Sequence, residues 1–120
     1  MKKESRIGFL LKCNDVNVLV VTRGFMSIDE IKISLDTERE DVIDFLKSAK
    51  SFNELNYLVV LGGNIDIDNL RQYIGKVRGS IRVLAVHELL SIVEDKEIVD
   101  TYISFMDKLV RDVRYLSCNI

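Results

Sequence analysis

The chain has no proline, one histidine and only two cysteines among its 120 residues. Without proline there is no polyproline segment and no proline-rich linker. Cys13 and Cys118 stand far apart, with no neighbouring Cys or His at metal-ligand spacing. They exclude a zinc ribbon and read as reduced thiols packed as small apolar groups. The lone His87 adjoins Glu88 with no serine or cysteine nucleophile motif nearby, so it is read as structural. Basic charge is not in surplus either: 17 Lys and Arg against 19 Asp and Glu give a net charge of -2. That balance argues against a protein that coats DNA or RNA, which needs excess cations to displace phosphate counterions.

Long apolar runs are missing as well. None approaches the roughly eighteen residues of a membrane span, and Met1 to Ser5 lacks the apolar core of a signal peptide. The expectation is a cytoplasmic protein with no membrane partner. Cys118-Asn119-Ile120 is one residue short of a prenylation signal. Neither G-x-G-x-x-G nor G-x-x-x-x-G-K-[ST] occurs, so Leu61-Gly62-Gly63-Asn64 is at most half a phosphate-binding turn; its glycines are expected to serve the turn itself.

What is present is a composition of 48% apolar and 30% charged residues, enough for one domain over residues 1–120 with a core that needs no disulfide or metal. The run Tyr57-Leu58-Val59-Val60-Leu61 is wholly apolar and reads as a buried strand ending in a turn at the glycines. Before it, Arg6 to Lys12, Val16 to Thr22 and Ile28 to Leu35 read as three strands joined by short turns, an antiparallel meander. Thr37-Glu38-Arg39-Glu40 has the form of a capping box opening a helix whose apolar face is Val42, Ile43, Phe45, Leu46 and Ala49.

After the apolar run, Asp66 to Lys76 keeps helical spacing, with Gly75 and Gly79 marking its end. Ser80 to His87 holds a fifth strand, and the two strands with the helix between them make a parallel βαβ unit. A second capping box, Ser91-Ile92-Val93-Glu94, is expected to start the last helix, unless Glu88 to Leu90 already belong to it. There Ile98, Tyr102, Phe105, Met106 and Leu109 belong to a broad apolar stripe, a candidate interface with another subunit or partner protein. The order β-β-β-α-β-α-β-α is that of the ribonuclease H-like α/β fold, a mixed sheet with helices on both faces. A Rossmann-like or flavodoxin-like sheet would need helices between the early strands.

Arg6 and Gly8 on the first strand, Arg23-Gly24 after the second, Ile28-Asp29 and Ile31 on the third, then Asp36 and Gly63, follow one another in a recognisable order. In this the chain resembles, as a degenerate and shortened version, a family of archaeal proteins of unknown function distantly similar to endonuclease V. The match runs to about Val86, and Leu89 to Ile120 has no obvious counterpart. The resemblance implies acids after the first-strand glycine and before the fourth-strand glycine, where nucleases of this fold hold two divalent metal ions. This sequence has Leu10, Leu11 and Gly62 at those places.

Among the remaining acids, only Asp36 stands where the family's motif has one at a strand end, and it equally suits a helix N-terminus. Arg71, Lys76, Arg78 and Arg82 cluster around the second helix and its exit, as a candidate nucleic-acid surface or a solvated basic one. The reading that results is a non-catalytic domain acting as an interaction or assembly module, with a protein partner or a homodimer and no cofactor. The alternatives are a nuclease or repair protein using Mg²⁺ or Mn²⁺ through displaced acids, and weak nucleic-acid binding without chemistry.

Overall fold

The structure, a computed structural model, describes residues 5–13, 16–24, 27–34, 42–63 and 65–93, together with Glu97, Asp100, Thr101, Ser104 and Lys108. Its first half is the meander: β1 (Arg6–Cys13), β2 (Val16–Arg23) and β3 (Ser27–Ser34), each antiparallel to the next. A short helix α1 (Val42–Lys47) and a 3₁₀ turn over Phe52–Glu54 lead to β4 (Tyr57–Gly63). Then come α2 (Ile67–Val77), β5 (Arg82–Ala85) and α3 (Val86–Ile92). The protein is α/β, with one mixed five-stranded sheet in the order β3-β2-β1-β4-β5; β1, β4 and β5 are parallel.

Strand β1 is central, and its middle, Ile7 to Leu11, carries no polar side chain because both of its faces are covered. Successive side chains of a strand point to opposite faces, and here each set enters its own core. Ile7, Phe9 and Leu11 pack with Val18, Val20, Val59 and Leu89, the last from α3. Leu10 packs with Leu19 and Leu58 and with Phe45 of α1 and Leu70 and Ile74 of α2. Burial of each such Leu, Ile or Phe side chain contributes about 1.5–3 kcal/mol, so the two clusters hold the sheet between its layers. Gly8 leaves room for this packing: a Cβ there would lie 3.2 Å from methyl carbons of Leu19, Leu55 and Leu58 at once.

Two elements depart from the sequence reading. The double glycine does not turn the chain; Gly62 and Gly63 continue β4, paired with Leu11 and Lys12 of β1 after a one-residue slip that leaves Leu61 without an opposite number. A short helix α3 starts at Val86, directly after β5, and ends at Ile92, so Ser91 lies in its final turn; the described helical residues from Glu97 onward lie beyond it. The Glu88 carboxylate accepts the Ala85 N–H at 3.1 Å, which is the glutamate half of a capping box; alanine has no acceptor to supply the other half. His87 and Glu88 are therefore helical rather than the end of a strand. Gly75 is likewise inside α2, whose last turn closes at Arg78.

Some expectations fall outside the described residues: the Thr37 capping box, and the stripe of Ile98, Tyr102, Phe105, Met106 and Leu109. The described positions of that segment, Glu97, Asp100, Thr101, Ser104 and Lys108, are helical and exposed. Their spacing places them on one polar helix face, and the Thr101 hydroxyl donates to the Glu97 carbonyl at 2.8 Å.

Candidate functional site

In open sheets with parallel strands, ligands bind beyond the carboxyl ends of those strands. Here that edge is formed by Lys12 of β1 and the last residues of β4. Beyond it lies a groove of about 410 Å³. Its floor is apolar, from Val42 and Ile43 of α1, Ile65 and Leu70. One polar stripe of α2, made by Asn69, Gln72, Tyr73 and Lys76, forms a wall, and Lys12 faces it from the sheet. The stripe follows the i, i+3, i+4, i+7 rule and is legible in the sequence as the helix face opposite Leu70 and Ile74.

Charge around the groove is set by local structure. Asp66 caps α2, its carboxylate accepting from the N–H groups of Asp68 and Asn69 at 3.0 and 3.2 Å and from the Asn69 side-chain amide at 3.0 Å. This acid is thereby committed to the helix terminus, where negative charge is favoured. Lys47 reaches from α1 to Tyr73, with its ammonium 5.3 Å from the ring centroid. The contact with the Tyr73 hydroxyl raises its pKa, so Lys47 stays cationic. Lys12 and Lys76 line the groove itself, and the local balance is positive.

No oxygen ligand stands at the places where the family resemblance implies metal carboxylates. Leu10 and Leu11 are 0% and 1% exposed, each buried in a different cluster, and Leu11 pairs with Gly62 across β1 and β4. These residues do not fit a divalent cation, which needs oxygen donors. Among the described residues, no three of His, Cys, Asp and Glu are grouped to hold a metal ion. Asp36 lies outside the described residues.

The four basic residues singled out in the sequence do not all line one cavity. Lys76 lines the groove. Arg78 donates to the Phe52 carbonyl at 2.6 Å, tying the end of α2 to the 3₁₀ turn. Arg82 stacks its guanidinium 5.8 Å from the Tyr57 ring centroid. Arg71 is drawn away to the outer edge of β5, where its Nε donates to the Val83 carbonyl at 3.1 Å and its other nitrogens pair with Glu88 and Asp68. Arg71 and Arg82 line a second cavity of about 380 Å³ there.

No family model, curated protein or solved structure matches the chain.

At the opposite end of the sheet, residues that carry the resemblance meet one another. Arg6 Nε lies 2.8 Å from Asp29 Oδ2 and 3.6 Å from Glu54 Oε2, and Arg23 Nε approaches the same Asp29 oxygen at 3.8 Å. Asn56 ties three strands together here: its side chain accepts the Arg6 N–H, its N–H donates to the Arg6 carbonyl, and its carbonyl accepts the Arg82 N–H. The cluster fastens the starts of β1, β4 and β5 to the far end of β2. It is a structural clasp, placed at the amino end of β1, away from the groove. No helix among the described residues is long and apolar enough to cross a membrane.

Proposed function

We propose that this chain is a non-catalytic ribonuclease H-like domain, distantly similar to endonuclease V, that acts as an interaction or assembly module. The strand order β3-β2-β1-β4-β5, antiparallel in its first half and parallel in its second, supports that fold, as does the division of the helices between the two hydrophobic clusters. The observation that carries the absence of chemistry is the burial of Leu10 and Leu11. The carboxyl-end position that would hold a metal ligand is instead part of two hydrophobic cores. An acid there would have to be desolvated as well as substituted.

The test is a cleavage assay with Mg²⁺ and Mn²⁺ on flapped, deaminated and single-stranded DNA and RNA. The expected result is no turnover and no rise in melting temperature with either ion. Cleavage that disappears on Asp36→Ala would overturn the reading in favour of a nuclease with displaced ligands. Lys12 and Lys76 in the groove favour one second reading, weak binding of a phosphate backbone without cleavage. It requires affinity that falls steeply with salt and falls further on Lys12→Gln with Lys76→Gln.

A further inference from the structure

The two edges of the sheet are built differently. At β5 the outward-facing backbone groups are occupied by side chains: Arg71 Nε donates to the Val83 carbonyl, Glu88 accepts the Ala85 N–H, and the two side chains pair with each other. Residues two apart on a strand present their backbone groups to the same side, so this ion pair fills the place of a neighbouring strand. Among the described residues, the eight-residue strand β3 has no backbone partner other than β2, so its outer edge is open there.

Strand β3 also carries an apolar row created by a bulge. Its register opposes Ile33 to Val18, Ile31 to Val20 and Ile28 to Thr22, with Asp29 as the extra residue. Opposed residues project to the same face, so all three isoleucines lie on one face. Without the bulge, Ile28 would point the other way from Ile31. Ile28 is 37% and Ile31 46% exposed, although both are large and apolar. On the other face, Glu30 accepts the N–H groups of Lys50 and Ser51, and Lys32 donates to Ser48 and the Phe45 carbonyl. Both charges are thus held at fixed positions beside the open edge.

We propose that β3 is a self-association surface, and that a second copy of this chain adds its own β3 antiparallel to it about a twofold axis through Ile31. Charge selects the partner. A twofold perpendicular to the sheet must pass through a residue position, and centring it on Glu30 or Lys32 sets like charges face to face. Centring on Ile31 opposes each Glu30 to Lys32 of the other copy and covers Ile31 with Ile31. Directly opposed unlike charges and apolar pairs favour the pairing, and like charges disfavour it. The product is a continuous sheet whose two outer edges are both β5, each closed by Arg71 and Glu88, so assembly stops at two copies.

This deepens the assembly reading and can fail independently of it, because cleavage is decided by a separate assay. Sedimentation of the intact chain should give a dimer mass that Ile31→Lys converts to the monomer, with the circular dichroism and melting curve retained. Ile31→Cys should form a disulfide-linked dimer under mild oxidation, since opposed residues bring their Cβ atoms to roughly 4.5–5.5 Å. Ser27→Cys and the unsubstituted chain, treated alike, should not. A chain that is monomeric across the concentration range overturns the proposal. So does a dimer that survives Ile31→Lys, which would place assembly on another face. If Ile31→Lys fails to fold, the cysteine pair decides: equal cross-linking at positions 27 and 31 overturns the register.

Discussion

Gly24 has φ 55°, in the left-handed region, while its N–H donates to the Ser5 carbonyl at 2.6 Å and its own carbonyl accepts the Thr22 hydroxyl at 2.7 Å. A side chain there strains the turn that holds β2 beside the start of β1. Gly24→Ala should lower stability by about 1–2 kcal/mol, read as a lower urea midpoint at unchanged slope. Glu30 works through charge. Burial tends to raise its pKa, but hydrogen bonds from Ser51 and Lys50 and the nearby Lys32 outweigh it and hold the carboxyl below its ordinary 4.5. Because the folded pKa is depressed, the unfolded chain takes up the proton first as pH falls. The stabilisation is complete above the unfolded value and is lost as pH drops through the folded one. Glu30→Gln should therefore lower the melting temperature more at about pH 7 than in acid strong enough to protonate the folded carboxyl, where both forms carry a neutral side chain. Neither effect is legible in the residue alone. Arg23-Gly24 announces a turn, whereas the partners of Glu30 lie 20 and 21 positions away.

At the scale of elements, edge strands decide what the protein can assemble with. Strand β5 has only four residues, and its edge is closed by a side-chain pair in which the Ala85 N–H and Arg71 hold the Glu88 carboxyl below its ordinary 4.5. Arg71→Ala removes the donor to the Val83 carbonyl and leaves Glu88 with the Ala85 N–H alone of its two edge partners. An unprotected edge invites further strand pairing, so this variant should form species larger than a dimer, seen by light scattering, at protein concentrations where the unsubstituted chain does not. The helices show where local signals suffice and where they do not. Asp66 followed by an apolar period announces α2, and an N-cap aspartate followed by free amides is a local interaction. The start of α3 is hidden in the sequence because Val86 follows β5 with no turn residue between. What ends the strand is the contact of Glu88 with Ala85 and Arg71, and half of that contact comes from α2. The bulge at Asp29 is of the same kind: the alternation of Ile31, Ile33 and Leu35 is visible in the sequence, but only the pairing with β2 brings Ile28 to the face of Ile31 and Ile33.

For the molecule as a whole, the decisive feature is that β1 is covered on both sides exactly where a metal-dependent nuclease of the proposed fold would keep an acid. Restoring one should not restore a site. Leu11→Asp should destabilise the fold by several kcal/mol, because it removes a fully buried aliphatic side chain and forces a carboxyl into an apolar cluster. Loss of the cooperative melting transition, with no gain of Mg²⁺ binding, is the expected outcome. The sequence by itself determined the α/β class, the meander followed by alternating helix and strand, and the apolar character of the carboxyl-end positions, because periodicity and composition are local properties of the chain. Only the tertiary structure decided the rest. It dispersed Arg71, Lys76, Arg78 and Arg82 to four different tasks, gathered Arg6, Arg23 and Asp29 into a clasp, and, among the described residues, closed one edge of the sheet while leaving the other open. Those outcomes depend on register and on which elements meet, and a single sequence records neither directly. The physical reason is that a side chain's role is set by the partner that reaches it, and here most of the partners arrive from other strands and helices.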